Sequence, residues 1–309
     1  GMYRSGGKDY TVQNNTITNS GWDGTACALD FRDIVAGTLP GGVLVSGNTF
    51  GNAPINANLS RAAVRFDNMR DLYIGDATTG GNVKLEDGSG LTAVGIEQSS
   101  QYVVLSFNNV SNSTIDNLDL SFSGANQVGN ALRISNQAGL GTMTIKNCTI
   151  NNRRMGIYIT GGKDYTVTGN NLTGTGQNDA FDTNNGGAAV WLNGLVKGTL
   201  DGGIAMSGNT FGGTNANCAL RIDDMRGFTI GDAAGDDIRL EDGASGLTNV
   251  GNSANSNTFV LYLSQIADVT VNSVDLTRAG GSQLGGGIRV ANGNGNKTVA
   301  FTNNSVGNR

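Results

Sequence analysis

The sequence has 309 residues, of which 49 are glycine and two are proline, and 38 % are hydrophobic. That apolar fraction is too high for a disordered linker, and the length suffices for one large domain or two ordinary ones. The net charge of −5 argues against a nucleic-acid partner, which needs a basic surface. Histidine is absent, which excludes an imidazole base, a Ser-His-Asp triad and a histidine-rich metal site.

Apolar residues occur in short runs, such as those at 42–45 and 260–263, which are typical of strands rather than helices. No run approaches the roughly 18 apolar residues of a membrane helix, so we predict no membrane span. The opening residues also lack the pattern of a secretion signal. The cysteines, Cys27, Cys148 and Cys218, have no CxxC spacing, and we expect buried thiols rather than a disulfide or a metal site.

The heptapeptide GGKDYTV occurs twice, at 6–12 and at 161–167. Further matches follow in the same order: SGNTFG at 46–51 and 207–212, KLEDGSGLT at 84–92 with RLEDGASGLT at 239–248, and NNR at 151–153 with GNR at 307–309. The sequence therefore predicts two tandem copies of one unit, 1–155 and 156–309.

A shorter period repeats inside each copy, in which an apolar anchor is followed three positions later by Asn or a small or apolar residue. The anchors are Val12, Val45, Ile74, Ile115, Ile145, Val167, Met206, Ile230, Val271 and Phe301. Repeats of this length built from short strands predict a solenoid. The residues three positions after the anchors include Asn15, Asn48, Cys148, Asn170 and Asn209. We expect an inward, left-handed turn there, with neighbouring Asn amides bonded to each other.

Segments of the form TVxxNxI (11–17) and SGNTF (46–50) resemble the right-handed parallel β-helix repeats of the pectate-lyase-like superfamily and of bacterial surface and adhesin-type proteins. The resemblance covers essentially the whole chain. It implies an all-β fold, a single-stranded right-handed parallel β-helix of about ten coils that continues over 1–309. It implies no single activity, because that superfamily includes lyases, glycoside hydrolases, epimerases, tailspikes and adhesins.

In the strand before each anchor, the apolar residues point inward and the central residue points outward. These central residues are Tyr3, Asp30, Arg65, Ser106, Arg133, Tyr158, Trp191, Arg221, Tyr262 and Arg289. Stacking predicts one column with neighbours about 4.8 Å apart.

The second half of this column is the candidate carbohydrate groove. Its residues are Tyr158, Trp191, Arg221, Tyr262 and Arg289. Aromatic faces and guanidinium groups recognise sugar rings, hydroxyls and carboxylates, and we expect the loop at 174–187 to wall the groove. The alternative is that arginine and aromatic side chains simply cover a β-surface.

Arg221, Asp223 and Asp224 are the catalytic candidates. Pectate-lyase-like enzymes use carboxylate-bound Ca²⁺ with an Arg or Lys base, and the segment RIDD at 221–224 resembles that set. The polygalacturonase-like signatures are missing, because there is no histidine and no Arg-Ile-Lys motif. The alternative interpretation is an ion pair between columns that both copies inherited by duplication.

Acidic residues are densest between the third and fourth anchors of each copy. In the second copy they are Asp232, Asp236, Asp237, Glu241 and Asp242, which we consider candidates for a weak Ca²⁺ site. Their spacing matches neither an EF-hand nor a calcium-binding nonapeptide, so a solvated turn is the alternative.

These features favour a non-catalytic module of a secreted or surface-attached bacterial protein. We expect a rigid spacer that binds polysaccharide or other glycans along the Tyr158–Trp191–Arg221 face, with no cofactor besides the hypothetical Ca²⁺. Open solenoid ends predict end-to-end self-association, because they expose apolar core and unpaired strands. The alternative is a Ca²⁺-dependent polysaccharide lyase or a glycoside hydrolase on the same fold.

Overall fold

The structure is a computed structural model, and its strands are numbered β1 to β24 in chain order. It describes residues 1–17, 27–50, 62–85, 91, 94, 103–122, 129–176, 187–213, 218–240, 247–250, 258–278, 285–293 and 298–309. These residues form β-strands with short 3-10 turns at Pro40–Gly42, Asp201–Gly203 and Leu247–Asn249. None of the described segments is a helix long and apolar enough to cross a membrane.

The first sheet has ten parallel strands, and strands that are neighbours in space follow one another along the chain. They are β1 (Met2–Ser5), β4 (Cys27–Arg32), β7 (Ala62–Asp67), β10 (Val103–Asn108), β12 (Asn130–Ser135), β14 (Met155–Thr160), β16 (Val190–Asn193), β18 (Leu220–Asp223), β21 (Phe259–Ser264) and β23 (Gly286–Ala291). The pairing of β12 with β14 continues this sheet across residue 155, where one sequence copy gives way to the next.

The second sheet has twelve parallel strands. In spatial order they are β2 (Tyr10–Gln13), β5 (Val43–Ser46), β9 (Val83–Lys84), β8 (Tyr73–Gly75), β11 (Ser113–Asp116), β13 (Gly141–Lys146), β15 (Lys163–Thr168), β17 (Ile204–Ser207), β20 (Ile238–Arg239), β19 (Arg226–Gly231), β22 (Ala267–Asn272) and β24 (Val299–Thr302). Two short strands, β3 (Thr16–Ile17) and β6 (Thr49–Phe50), form a further pair. The all-β prediction is confirmed, and the large parallel sheets fit a solenoid.

The pleat of each strand separates a buried face from an outer face. In β7, Val64 and Phe66 are fully buried whereas Arg65 between them is half-buried. Inward side chains of both large sheets belong to one hydrophobic cluster. Within it the ring of Phe66 stacks on Phe31 and on Phe107, with centroids 5.7 and 5.4 Å apart. The outer residues are therefore held on a backbone whose other face is packed core.

Asparagines three positions after the anchors bond to each other, as predicted. Nδ2 of Asn170 donates to Oδ1 of Asn209 at 2.9 Å, and Nδ2 of Asn15 donates to Oδ1 of Asn48 at 2.9 Å. The sequence-based placement of the left-handed residue is wrong, because it lies one position earlier. Asn14, Gly47, Gly169 and Gly208 have φ between 58° and 66°. A left-handed residue turns the chain, so that the next side chain, the asparagine, points into the core.

No disulfide joins Cys27, Cys148 and Cys218. Cys27 and Cys148 are buried, as predicted, and Cys218 is half-buried. Burial raises the pKa of Cys148 to about 12, and it raises the pKa of Cys218 to about 12. Both thiols are therefore protonated at neutral pH and are poor nucleophiles.

A buried arginine lies at the end of the first copy and was missed by the sequence reasoning. The side chain of Arg153 is fully buried, and its guanidinium donates to the carbonyl oxygens of Leu120 and Val94 at 2.7 Å and of Ser121 at 3.0 Å. Burial lowers the pKa of Arg153 to about 9. Carbonyl acceptors from separate segments are thus joined by one side chain.

Arg309 makes the equivalent contacts in the second copy. Its guanidinium donates to the carbonyl oxygens of Leu276 at 2.7 Å, of Leu247 at 3.1 Å, and of Val250. Arg309 is half-buried, unlike Arg153. The matching endings NNR and GNR are the sequence signal that marks both arginines.

Candidate functional site

The pairing register aligns the central outward residues in one row across the first sheet, as predicted. This outward row consists of Tyr3, Asp30, Arg65, Ser106, Arg133, Tyr158, Trp191, Arg221, Tyr262 and Arg289. In-register parallel pairing repeats the same strand position at about 4.8 Å, so each side chain lies beside the next one in the row.

The last six residues of the row form what we call the ladder: Arg133, Tyr158, Trp191, Arg221, Tyr262 and Arg289. The ring centroids of Tyr158 and Trp191 are 4.7 Å apart. The guanidinium carbon of Arg221 lies 4.0 Å from the Trp191 ring and 5.0 Å from the Tyr262 ring. That of Arg289 lies 5.4 Å from the Tyr262 ring. Cation–π and ring contacts therefore link these neighbours.

Trp191 is more buried than the sequence suggests, with only 7 % of its surface exposed. Tyr158 lies against one side of the ring and Arg221 against the other. Met155 and Ala188 pack with Trp191 in a small apolar cluster outside the main core. Neighbours about 4.8 Å away fill the space on both sides of the ring, so neither ring face is open to solvent, and glycan binding by Trp191 stays a prediction.

Asp223 is engaged by its neighbours in the same part of the sheet. Its Oδ2 accepts hydrogen bonds from Nε1 of Trp191 at 2.6 Å and from Nε of Arg221 at 2.7 Å. Asp224, the next residue, is exposed and has a φ of 54°. Arg221 and Asp223 thus form an ion pair that holds Trp191, and a catalytic role for Arg221, Asp223 and Asp224 stays a prediction.

Two cations of the ladder are available to a ligand. Among the described residues, neither Arg133 nor Arg289 has a carboxylate within salt-bridge distance. Arg289 is exposed, and Tyr262 beside it is half-buried. The ladder is therefore positive on a chain whose overall charge is negative. Residues 177–186, within the loop expected to wall this groove, lie outside the described residues.

The first half of the outward row is built on ion pairs instead. Asp30 accepts hydrogen bonds from Arg32 at 3.1 and 2.9 Å. It also accepts a hydrogen bond from Nε of Arg65 at 3.1 Å and forms a salt bridge with Nη2 of the same residue. Arg65 and Asp30 are adjacent in the row, so the register creates this pair. The carboxylate of Asp30 therefore neutralises charge of the neighbouring arginines in this half of the row.

The predicted Ca²⁺ ligands were Asp232, Asp236, Asp237, Glu241 and Asp242. In the structure, Oδ2 of Asp236 accepts a hydrogen bond from the backbone N–H of Ala233 at 2.8 Å. Oδ2 of Asp237 accepts one from the backbone N–H of Thr229 at 2.8 Å. Within the described part of the chain, no three His, Cys, Asp or Glu side chains are arranged to hold a metal. Glu241 and Asp242 lie outside that part, so the Ca²⁺ site stays a prediction.

A polar cluster on the second sheet was also missed. The hydroxyl of Tyr73 donates to Oδ2 of Asp116 at 2.6 Å, Lys146 approaches the same oxygen at 3.2 Å, and Asn147 donates to Oδ1 at 3.0 Å. Burial alone raises the pKa of Asp116, but these hydrogen bonds outweigh it and the net pKa is lowered. The sequence could have predicted this ion pair, because Asp116 and Lys146 each directly follow an anchor and are therefore paired by register.

Comparison with known proteins gave no match: no protein-family model, no curated protein and no solved structure matches this chain. The resemblance to pectate-lyase-like repeats therefore depends on the sequence pattern, with which the all-β parallel fold is compatible.

Proposed function

We propose that this chain is a non-catalytic, single-stranded right-handed parallel β-helix of about ten coils, continuous over residues 1–309 and made of two tandem copies. It serves a secreted or surface-attached bacterial protein as a rigid spacer and binds glycans along the ladder. The large parallel sheets and their unbroken register support the rod-like architecture.

The observation that carries the glycan proposal is the positive, aromatic ladder on an acidic chain. Arg289 and Tyr262 offer a guanidinium group and a ring edge to solvent, and Arg133 offers a second cation. Guanidinium groups bind carboxylates and hydroxyls in directed pairs, and the exposed edge of the tyrosine ring adds apolar contact area for a sugar. Because both faces of Trp191 are covered, its role is to position Arg221 rather than to stack on the sugar.

Self-association end to end belongs to the same proposal. Val290, Phe301 and Val306 are exposed by 39, 48 and 56 %, although the equivalent residues of the first copy, Ile134 and Ile150 among them, are fully buried. Exposed inward positions and unpaired strand edges favour contact with another β-structure.

A glycan array probed with and without Ca²⁺ tests the proposal. We expect binding of acidic or neutral glycans without turnover, and a loss of about tenfold or more when Arg289→Gln removes an unpaired guanidinium. Arg70→Gln is the matched control, because Arg70 is an exposed arginine paired with Asp71 and lies outside the outward row. Absence of any glycan signal, or an equal loss in both variants, contradicts the glycan proposal.

A polysaccharide lyase or glycoside hydrolase is the second candidate, and the close Arg221–Asp223 pair favours it. Lyase products absorb in the ultraviolet, so incubation with acidic polysaccharide distinguishes an enzyme from a binding module. Turnover that is lost in Arg221→Ala would replace the binding proposal. The binding module is better supported, because both hydrogen bonds to Oδ2 of Asp223 come from the ladder itself, so the carboxylate serves to hold Trp191 and Arg221 in place.

A further inference from the structure

A concavity of about 350 Å³ lies beside the second sheet in the first copy. Its lining includes Asp76, Thr78, Asn117, Asp119, Asn147 and Thr149. Asp76, Asn117 and Asn147 immediately follow the ends of the neighbouring strands β8, β11 and β13. The concavity is therefore on a different sheet from the ladder, and its volume is at the lower end of the range for small-molecule sites.

Two asparagine amides in the lining are oriented by carboxylates. Nδ2 of Asn117 donates to Oδ2 of Asp76 at 2.7 Å, and Nδ2 of Asn147 donates to Oδ1 of Asp116 at 3.0 Å. A carboxylate only accepts hydrogen bonds, so it determines which end of each amide faces it. In the part of the chain that the structure describes, nothing donates to Oδ1 of either asparagine.

A second layer of contacts holds these carboxylates in place. Asp116 accepts a hydrogen bond from Tyr73 and forms a salt bridge with Lys146, and Asp76 accepts hydrogen bonds from Thr78 at 2.8 Å and from the backbone of Thr79 at 2.9 Å. Burial acts to raise the pKa of each carboxyl, but the hydrogen bonds outweigh it and both pKa values are lowered. The carboxylates stay charged at neutral pH, and the two amides are pre-organised before a ligand arrives.

The chemistry of the lining restricts the ligand. The lining offers further hydrogen-bond acceptors besides the two amide oxygens. Oδ1 of Asp119 accepts a hydrogen bond from the backbone N–H of Ser121 at 3.0 Å, which leaves Oδ2 for a ligand, and Thr149 adds a hydroxyl group. Carboxylates at 76, 116 and 119 outnumber the single ammonium of Lys146 in this cluster. An anionic ligand is repelled there, whereas hydroxyl groups can donate to several acceptors at once.

We propose that this concavity binds a single neutral sugar unit, whose hydroxyl hydrogens are received by Asn117, Asn147 and Asp119. The site is independent of the ladder, which lies on the other large sheet and carries the opposite charge.

The second copy offers an internal comparison, because its sequence departs from the first at these positions. Asn272 stands in place of Asp116, Thr302 in place of Lys146, and Ser273 in place of Asn117. Asn303, which corresponds to Asn147, donates to Oδ1 of Asn272 at 3.3 Å instead of to a carboxylate. The charged contacts of Asp116 with Lys146 and Asn147 are therefore specific to the first copy.

The test is a titration followed by side-chain amide signals in ¹H–¹⁵N NMR spectra, with the methyl α-glycosides of glucose, galactose and mannose as probes. We expect saturable shifts of the Asn117 and Asn147 amide signals with one glycoside, with a Kd of about 1–10 mM for so small a ligand. Asn117→Gly and Asn147→Gly should each weaken binding by about tenfold or more. Glycine suits these positions, because Asn117 and Asn147 have φ of 55° and Gly169 and Gly208 occupy the same turn elsewhere.

Asn303→Gly is the matched control and should leave the affinity unchanged. The proposal is overturned if no glycoside shifts these signals up to about 50 mM. It is also overturned if methyl glucuronide binds equally well, if CaCl₂ alone reproduces the shifts, or if Asn303→Gly weakens binding as much as the first-copy variants do.

Discussion

In three corresponding strands of the first sheet, the two copies place their stacked aromatic residues on opposite faces. In the first copy, Phe31, Phe66 and Phe107 stack inside, while the outer face is held by ion pairs around Asp30. In the second copy, the same inward positions are Leu192, Ile222 and Leu263, and the rings of Trp191 and Tyr262 lie outside. Backbone pairing is alike in both, so the side chains on either face vary independently of the frame.

This difference bears on function because ion pairs neutralise charge on the outer face of the sheet, whereas aromatic rings do not. Asp30 satisfies Arg32 and Arg65, so the first half of the outward row retains little charge for a ligand. In the ladder, only Arg221 has a carboxylate partner among the described residues, and the other two arginines lie against rings, which attract a cation without neutralising it. The ladder therefore keeps a net positive charge.

The largest effect is expected from the inner face. Phe66→Ala should lower the free energy of unfolding by about 3–5 kcal/mol, because it removes a buried ring and leaves a cavity. Ile222→Ala at the equivalent position should cost about 1 kcal/mol less, since no ring stack is lost there. Urea unfolding of both variants measures the two free energies. Equal losses of unfolding free energy would show that stacking of the phenylalanine rings contributes nothing beyond the buried volume of one side chain.

Next in size is the buried arginine at the end of each copy. Arg153→Met should lower the free energy of unfolding by about 2–4 kcal/mol, because several buried carbonyl groups lose their donor. Arg309→Met should cost less, since Arg309 is half-buried and water can replace the side chain. Denaturant unfolding compares the two, and a larger loss for Arg309→Met would contradict this account.

A smaller effect is expected on the outer face. Asp223→Ala should cost about 1–3 kcal/mol, because it leaves Nε1 of Trp191 and the Arg221 guanidinium without this acceptor. Asp67, the equivalent residue, accepts a hydrogen bond from Asn108 at 2.8 Å, and Asp67→Ala should cost about 0.5–1.5 kcal/mol. Thermal and urea unfolding give both values, and tryptophan fluorescence should change only in Asp223→Ala.

The smallest effect is a pH dependence that only the first copy should show. Because the folded-state pKa of Asp116 is lowered, its contribution to stability is present above the unfolded pKa of about 3.9 and is lost as the pH falls from there through the lower folded-state pKa. Asp116→Asn introduces the residue that the second copy has at position 272 and should remove this dependence. Unfolding free energies between about pH 7 and pH 3 should converge for the two proteins on acidification. A constant difference across that range is the contrary result.

The resemblance to β-helix repeats implied the parallel pairing, whereas local patterns were enough to predict the strands and the order of the outward row. Each depends on a period of two along a strand and on a repeat between strands, and both periods are visible in the letters. The paired amides of Asn170 and Asn209 follow from the same repeat. The left-handed residue was misplaced by one position, because Asn and Gly at adjacent positions both suit such a turn.

The sequence by itself determined that this protein is an all-β chain with parallel strands, that it contains two related copies, and which side chains share a row. Only the tertiary structure decided which of these side chains face solvent. Burial of Trp191 depends on Tyr158 and Arg221 from neighbouring strands, and burial of Arg153 depends on carbonyl groups from segments about 30 and 60 positions away. Exposure is a property of packing between distant segments, and no single stretch of sequence contains it.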